Sequence, residues 1–377
     1  MKLGITVGVP KETAPGETRV AATPDSVKRL VKYGFDINIE EGAGISAGFR
    51  DEDYDAVGAT IVSSKEVWAT PLVTKVAPPS SAEASSIPSG TFIVSLLEPF
   101  RNGDLLEGFA KQRVDALALE AIPRTSRAQA MDVLSSQAGI AGYRAVIEAA
   151  HHYGRFFPMM MTSAGSAKAT KVTVLGAGVA GLQAIATARK LGAVVEAYDV
   201  RPETREQIQS LGAKYIDIQL DESGSGQGGY ARELSEESKQ KLQAALDERL
   251  SKSDIIISTA NVPGRKAPTL ISESVVSGMR HGSVIVDMAT PSGGNCPLSK
   301  ADQVVEAHGV KIIGYTNYPA MMATDSSNFF ARNLVSLLDL FVRPRDSGEP
   351  TFIVNLEDDI IDTSLLVHQG TLRLKNR

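Results

Sequence analysis

Cysteine is almost missing from this chain. One residue, Cys296 in GGNCPL, among 377 excludes an internal disulfide and any zinc site built on several thiolates. It sits beside no histidine or helix start in sequence that would mark it as a nucleophile. Histidine is scarce as well. The five present include only one adjacent pair, His151 and His152, and none at a metal-ligand spacing, so no metal is expected. There is no excess of basic charge. Thirty-nine Lys and Arg against 44 Asp and Glu leave a net charge of −5, with no basic cluster, which excludes the footprint of a nucleic-acid binder. No apolar run reaches the roughly 18 residues that would cross a membrane. The start, MKLGITVGVPKE, enters a strand-like run without a signal or transit peptide. These absences lead to the expectation of a cytoplasmic chain. No internal repeat of about 20 to 50 residues is present.

What is there is a soluble composition, 43% hydrophobic and 22% charged, long enough for two or three domains. The most informative stretch is Lys171 to Arg201, KVTVLGAGVAGLQAIATARKLGAVVEAYDVR. A short apolar run, Val172 to Leu175, suits a buried parallel strand. Gly176, Ala177, Gly178, Val179 and Gly181 then give G-x-G-x-x-G. A helical pattern through Leu182, Ile185, Ala188 and Leu191 ends near Gly192, and a second apolar run, Val194 to Tyr198, delivers Asp199. In such a unit Gly176 permits the turn out of the strand, Gly178 lets backbone approach a pyrophosphate, and Gly181 lets the helix pack closely. The helix start offers N–H groups and the positive end of its dipole to phosphate. Asp199 is placed to accept ribose hydroxyls and to repel a 2′-phosphate, which favours NAD(H) over NADP(H). Arg201 nearby pulls the other way, and Asp199, at the strand end, is taken to decide.

Residues 1 to about 122 read as a separate α/β unit. Strands are expected at Leu3–Val9, Phe35–Ile39, Thr60–Val62, Leu72–Val76, Phe92–Leu97 and Ala116–Ala121. Helices are expected at Pro24–Tyr33, capped by Thr23, and at Asp51–Ala56. Pro78–Pro88 reads as a loop or weak helix, and no glycine fingerprint occurs here. Ile140, Tyr143, Ile147 and Ala150 recur at helical spacing and predict a long helix into the second domain. Residues 158 to 170 are expected to be a loop. Beyond Asp199 follow a helix at Pro202–Leu211, the glycine-rich run Asp221–Gly229 with Tyr230 after it, and a helix over about 231 to 250. Strands are expected at Asp254–Ser258, Val284–Asp287 and Lys311–Gly314, and an amphipathic helix through Phe330, Leu334, Leu337, Leu338 and Phe341. The fold class is α/β: two doubly wound parallel-sheet, Rossmann-like domains joined by crossing helices. The expected boundaries are 1–135 with 325–377 for one domain and 136–324 for the other.

Three further groups of residues invite a chemical reading. Arg124, Arg127, Gln129, Asp132 and Ser135 crowd into a turn or two between the domains. They are either a solvated linker with local ion pairs or the lining of a ligand cleft, where the Gln129 amide would bond a carboxamide or ribose. The run before Tyr230 is either an ordinary flexible loop or a lid. Arg19 and Lys75 either hold a substrate carboxylate or pair at the surface.

The segments VPKETAPGETRVAATP, PRTSRAQAMDVLSSQAGIAGYRAVIEAA, FFPMMMTSAG, GAGVAGLQAIATARKLGAVVEAYDVR, GGYARE and GSVIVDMATPSGGNCPLS together span nearly the whole chain. With them the chain resembles the NAD(H)-binding α-subunit (domain I) of proton-translocating nicotinamide nucleotide transhydrogenase. Alanine dehydrogenase is similar too. That family carries a catalytic histidine after the strand that here reads FIVSLLEPF, where there is none, and an aspartate where this chain has Pro291. Its carboxylate binders match Arg19 and Lys75, which remain.

The transhydrogenase resemblance implies a homodimer that binds NADH and passes hydride to NADP⁺. The NADP(H) is held on a separate β-subunit, and membrane-spanning subunits couple the transfer to proton movement. It implies a cytoplasmic chain, peripheral on the inner membrane through those partners, of the form whose anchor is a separate subunit. NAD(H) would be bound by Arg124, Thr125, Ser126, Arg127, Gln129, Ala130, Met131, Asp132 and Ser135 at the nicotinamide end. Gly176, Ala177, Gly178, Val179 and Gly181 would hold the pyrophosphate, and Asp199, Val200 and Arg201 the adenosine ribose. Asn261 would lie on the adenine or ribose side, and Gly229 and Tyr230 in a loop closing over the nucleotide. Gln129, Asp132, Arg124 and Tyr230 would be the residues nearest the chemistry.

Overall fold

The computed structural model describes residues 3–218, 235–261, 264–343 and 351–373. In chain order the first elements are β1 (Thr6–Val9), α1 (Pro24–Lys32), β2 (Asp36–Glu40), α2 (Asp51–Asp55), β3 (Thr60–Val62), α3 (Ser64–Trp68), β4 (Leu72–Thr74), α4 (Ser81–Ser86), β5 (Phe92–Ser95), α5 (Gly103–Gln112) and β6 (Asp115–Ala118). The long α6 (Val133–His152) leads to β7 (Met160–Thr162), β8 (Gly165–Ala167), β9 (Lys171–Leu175), α7 (Val179–Lys190), β10 (Val194–Tyr198), α8 (Thr204–Ser210) and β11 (Lys214–Tyr215). After these come α9 (Glu236–Leu250), β12 (Ile255–Ser258), α10 (Glu273–Gly278), β13 (Val284–Asp287), β14 (Val304–Ala307) and β15 (Val310–Ile313). The chain closes with α11 (Ala323–Asp339), β16 (Val342–Arg343), β17 (Thr351–Phe352), α12 (Asp359–Ser364), β18 (Leu365–His368) and β19 (Thr371–Leu372). The chain divides into two units, Met1–Gln137 with Pro319–Arg377, and Ala138–Tyr318. The boundary falls inside α6, whereas α11 lies wholly in the first unit.

In the first unit the strand order is β19-β18-β6-β5-β4-β1-β2-β3, and β6 through β3 are parallel. Successive side chains of a strand face opposite ways, so each continuous apolar strand feeds two cores. Leu72, Phe92 and Val94 enter the core shared with α1 and α11. Val73 and Ile93 enter the other, with Val67, Trp68, Leu106 and Phe109 of α3 and α5. α1 starts where Thr23 caps it, with Pro24 in the first turn, and the Ser26 hydroxyl accepts the Thr23 N–H at 2.9 Å.

The second unit has the order β11-β10-β9-β12-β13-β15-β14, parallel except for β14. Ile255 and Ile257 pack with α6 and α7, and Ile256 with α9 and α10. The strands run outward in opposite directions from the neighbours β9 and β12, so the topological switch point lies between them.

Several short elements lie outside the sequence reading. Residues 158 to 170, expected as a loop, contain the β7–β8 hairpin, because three-residue strands are too short to show a period. α5 is a further addition, since GDLLEGFAKQ carries two helix-weakening glycines. The tail carries two antiparallel strands: β18 pairs with β6, extending an otherwise parallel sheet.

Candidate functional site

The switch point of the second unit is built by a glycine loop. β9 ends at Leu175, and Gly176 turns the chain at φ +94°, a conformation open to glycine. Its N–H donates to the Tyr198 carbonyl at 2.8 Å. Gly178 caps α7. A Cβ on Gly181 would lie 1.9 Å from the Gly176 carbonyl oxygen, so the close approach of helix to loop requires glycine. A Cβ on Gly178 would meet no atom within 4 Å. Protein packing therefore explains Gly181 but not Gly178, whose missing side chain leaves room at the helix N-terminus, the space that an anionic group held by α7 would use. Thr259, just after β12, braces the turn: its hydroxyl lies 3.2 Å from the carbonyl oxygens of both Leu175 and Gly176. Sequence reasoning does not single it out, since it stands far along the chain from the loop.

Asp199, at the end of β10, is 6% exposed and closely engaged. Its Oδ2 accepts the Ala177 N–H at 2.7 Å and Arg201 Nη2 at 2.8 Å. Its Oδ1 accepts the Arg201 N–H and Nε, both at 2.9 Å. The bonds to Asp199 hold the Arg201 guanidinium protonated, raising its already high pKa. Val200 packs against the second core of this unit. Asn261 is exposed beyond β12. Asn295, buried and absent from the sequence reading, fastens the same end of the sheet. It accepts the Ser258 hydroxyl at 2.6 Å and donates to the Ala260 and Pro268 carbonyls at 2.9 and 2.8 Å. Gly229 and Tyr230 lie outside the described residues.

The first unit treats its own switch point, between β1 and β4, differently. Lys75 is buried and donates to Glu12 at 2.6 Å, and Glu12 also accepts the Val76 N–H at 2.6 Å. Burial outweighs these bonds and pushes the Glu12 carboxyl upward. Arg19 is likewise buried, bonded to Glu17 at 2.6 Å and to the Gln137 side chain at 2.9 Å. Both cations therefore form buried internal pairs, a correction to the surface pairing that their position suggested.

A pocket of about 300 Å³ in the first unit is lined by Pro123, Arg124, Thr125, Ser126, Ala128, Gln129 and Asp132. The Asp132 carboxylate is aimed by the Ser135 N–H at 2.9 Å and the Ser135 hydroxyl at 2.5 Å. Asn333 of α11 pins the segment, donating to the Ala130 carbonyl at 2.8 Å and accepting the Ser136 hydroxyl at 2.7 Å. A polar residue among the apolar positions of α11 is the available signal for it. Arg127 faces elsewhere. It forms a two-pronged pair with Asp358 at 2.6 and 2.7 Å and also bonds Asp359. Met131 is buried in the core. What gathers in the pocket is a guanidinium, two hydroxyls, an amide and an acceptor carboxylate, a set suited to a neutral carboxamide and sugar hydroxyls.

Proton-transfer groups are missing where the sequence comparison with alanine dehydrogenase places them. After β5, Leu97 is core and its N–H donates to Glu120 at 2.8 Å. Pro291 sits in a one-turn helix, Thr290–Ser292. The carboxylate before it, Asp287, is buried and accepts the N–H groups of Ala289, Asn295 and Cys296 at 3.0 to 3.1 Å and the Ser299 hydroxyl at 2.7 Å.

The N-terminal domain profile of the alanine dehydrogenase/PNT family matches residues 8–141, and its C-terminal domain profile matches residues 145–375. The chain belongs to this family. It is 44% identical to an NAD(P) transhydrogenase subunit alpha chain of Rhodospirillum rubrum, with 97% of each chain covered. The crystal structure of transhydrogenase from Sinorhizobium meliloti aligns with a TM-score of 0.88 at 40% identity, over 97% of this chain and 99% of that one. A structure of L-alanine dehydrogenase aligns at 0.78 and 28% identity, over 98% and 96%. The fold expected from sequence, two Rossmann-like domains, is that of both relatives.

Proposed function

We propose that this chain is the NAD(H)-binding subunit of a proton-translocating transhydrogenase. It works as a dimer with an NADP(H)-binding subunit and membrane-spanning subunits. The observation that carries the reading is the 44% identity to a transhydrogenase alpha subunit across 97% of both chains. When bound, NADH supplies a hydride that passes directly to the nicotinamide ring of NADP⁺ on the partner. Such a transfer needs no acid or base on this chain, in keeping with Leu97 and Pro291 where alanine dehydrogenase has its proton-transfer groups.

The chain's own residues bind and orient. The α7 N-terminus and the space over Gly178 receive the pyrophosphate, and Asp199 receives the adenosine ribose. Arg124, Gln129, Asp132 and Ser135 hold the nicotinamide end, with Gln129 nearest the incoming partner, so that two rings are kept at near-contact distance. Thr125, Ser126 and Ala130 belong to the same segment.

The test is to mix the purified chain with the NADP(H)-binding domain of a transhydrogenase and follow NADH-dependent reduction of NADP⁺ spectroscopically. No transfer in that mixture, or steady deamination of alanine by the chain alone, defeats the proposal. Gln129→Ala is expected to slow transfer by about tenfold or more while leaving NADH affinity nearly unchanged. An equal loss of both would make Gln129 a binding contact only.

A further inference from the structure

A carboxylate offers about four lone-pair sites. At Asp199 all four meet donors of the chain itself: the N–H groups of Ala177 and Arg201, and Nε and Nη2 of Arg201. The two backbone donors are fixed by the loop. The guanidinium donors sit on a side chain with several rotatable bonds. Both partners are largely shielded, with side-chain exposures of 13% for Arg201 and 5% for Asp199, so water competes weakly for the pair.

We infer that Arg201 is a latch on Asp199: a nucleotide gains the carboxylate only by exchanging ribose hydroxyl donors for the guanidinium, which makes Arg201 a specificity-determining residue. This rests on the NAD(H) reading above. A 2′-phosphate, largely ionised at neutral pH, has no proton to offer in that exchange and meets the freed negative charge. The latch therefore strengthens the preference for an unphosphorylated ribose, although an arginine beside such a carboxylate can also welcome a 2′-phosphate.

Neutral probes separate the latch from simple attraction of phosphate by arginine. NADH binding to the full chain is followed by nucleotide fluorescence, with adenosine and 2′,3′-dideoxyadenosine as competitors, for wild type, Arg201→Met and Arg201→Lys. The latch predicts that Arg201→Met binds adenosine roughly tenfold more tightly, with dideoxyadenosine unchanged. Arg201→Lys, able to make only a single-point bond, falls between. Melting curves verify that each variant folds, and the lysine variant carries the test if the methionine variant does not. Adenosine affinity that is unchanged or weaker in the folded variants, or an equal gain for dideoxyadenosine, overturns the latch. So does a loss of NADPH binding in Arg201→Met without an adenosine gain, which makes Arg201 a phosphate reader. Wild-type chain that binds no NADH at all overturns the nucleotide reading and the latch with it.

Discussion

At the scale of single residues, the glycine fingerprint separates into positions with different causes. Gly181 is required by the protein, because its Cβ would overlap the Gly176 carbonyl. Gly178 has a helix-compatible φ of −74° and open space around it. Gly178→Ala is therefore expected to keep stability within about 1 kcal/mol of wild type while lowering NADH affinity by about tenfold or more. Gly181→Ala is expected to lose about 1–3 kcal/mol, since neither atom in the overlap can move without shifting backbone. Urea unfolding and NADH fluorescence on the two variants decide the matter: a stable Gly181→Ala or a tightly binding Gly178→Ala contradicts this division. The fingerprint and Asp199 are legible in the sequence because neighbours along the chain carry the whole pattern. Thr259 and Asn295 are not, because their partners become neighbours only when β12 is laid beside β9.

At the scale of elements, α12 shows how a charged residue acquires its role. Asp358 caps this helix, accepting the Ile360 and Ile361 N–H groups at 3.0 and 3.4 Å, and is clasped by Arg127. The Arg127 bond, with help from the cap, holds the Asp358 carboxyl below the usual carboxylate range. A lowered folded-state pKa contributes stability that is full above the unfolded value and is lost as pH falls through the folded one. Asp358→Ala is expected to cost about 1–2 kcal/mol near neutral pH. The gap to wild type should narrow as pH drops below about 4, where the wild-type carboxylate protonates. Urea unfolding across pH checks both parts, and a gap that widens in acid contradicts the assignment. Sequence groups Arg127 with the nucleotide-binding residues because it stands among them along the chain. Its partners lie in a tail helix to which the sequence reading assigns no element.

At the scale of the whole molecule, the two units share an architecture and use their switch points oppositely. One presents a glycine loop under a helix N-terminus, and the other is filled by the Lys75–Glu12 pair. The first unit is also closed by chain from the far end: Ile360, Ile361 and Leu365 complete its core and β18 covers β6. A chain ending at residue 343 should therefore lose the first unit to limited proteolysis while the 138–318 unit persists as a resistant fragment. Equal survival of both would show that the tail is dispensable.

The alternation of strand and helix, the glycine loop, the acid after β10 and the segment from Arg124 to Ser135 were all determined by the sequence itself, since each depends on residue spacing along one stretch. Tertiary structure alone decided which charges are committed to one another: Lys75 to Glu12, Arg19 to Glu17 and Gln137, Arg127 to Asp358, and the closeness with which Arg201 holds Asp199. The physical reason is that an ion pair's partner and strength are set by which groups meet and how far water is excluded from them, and sequence spacing specifies neither.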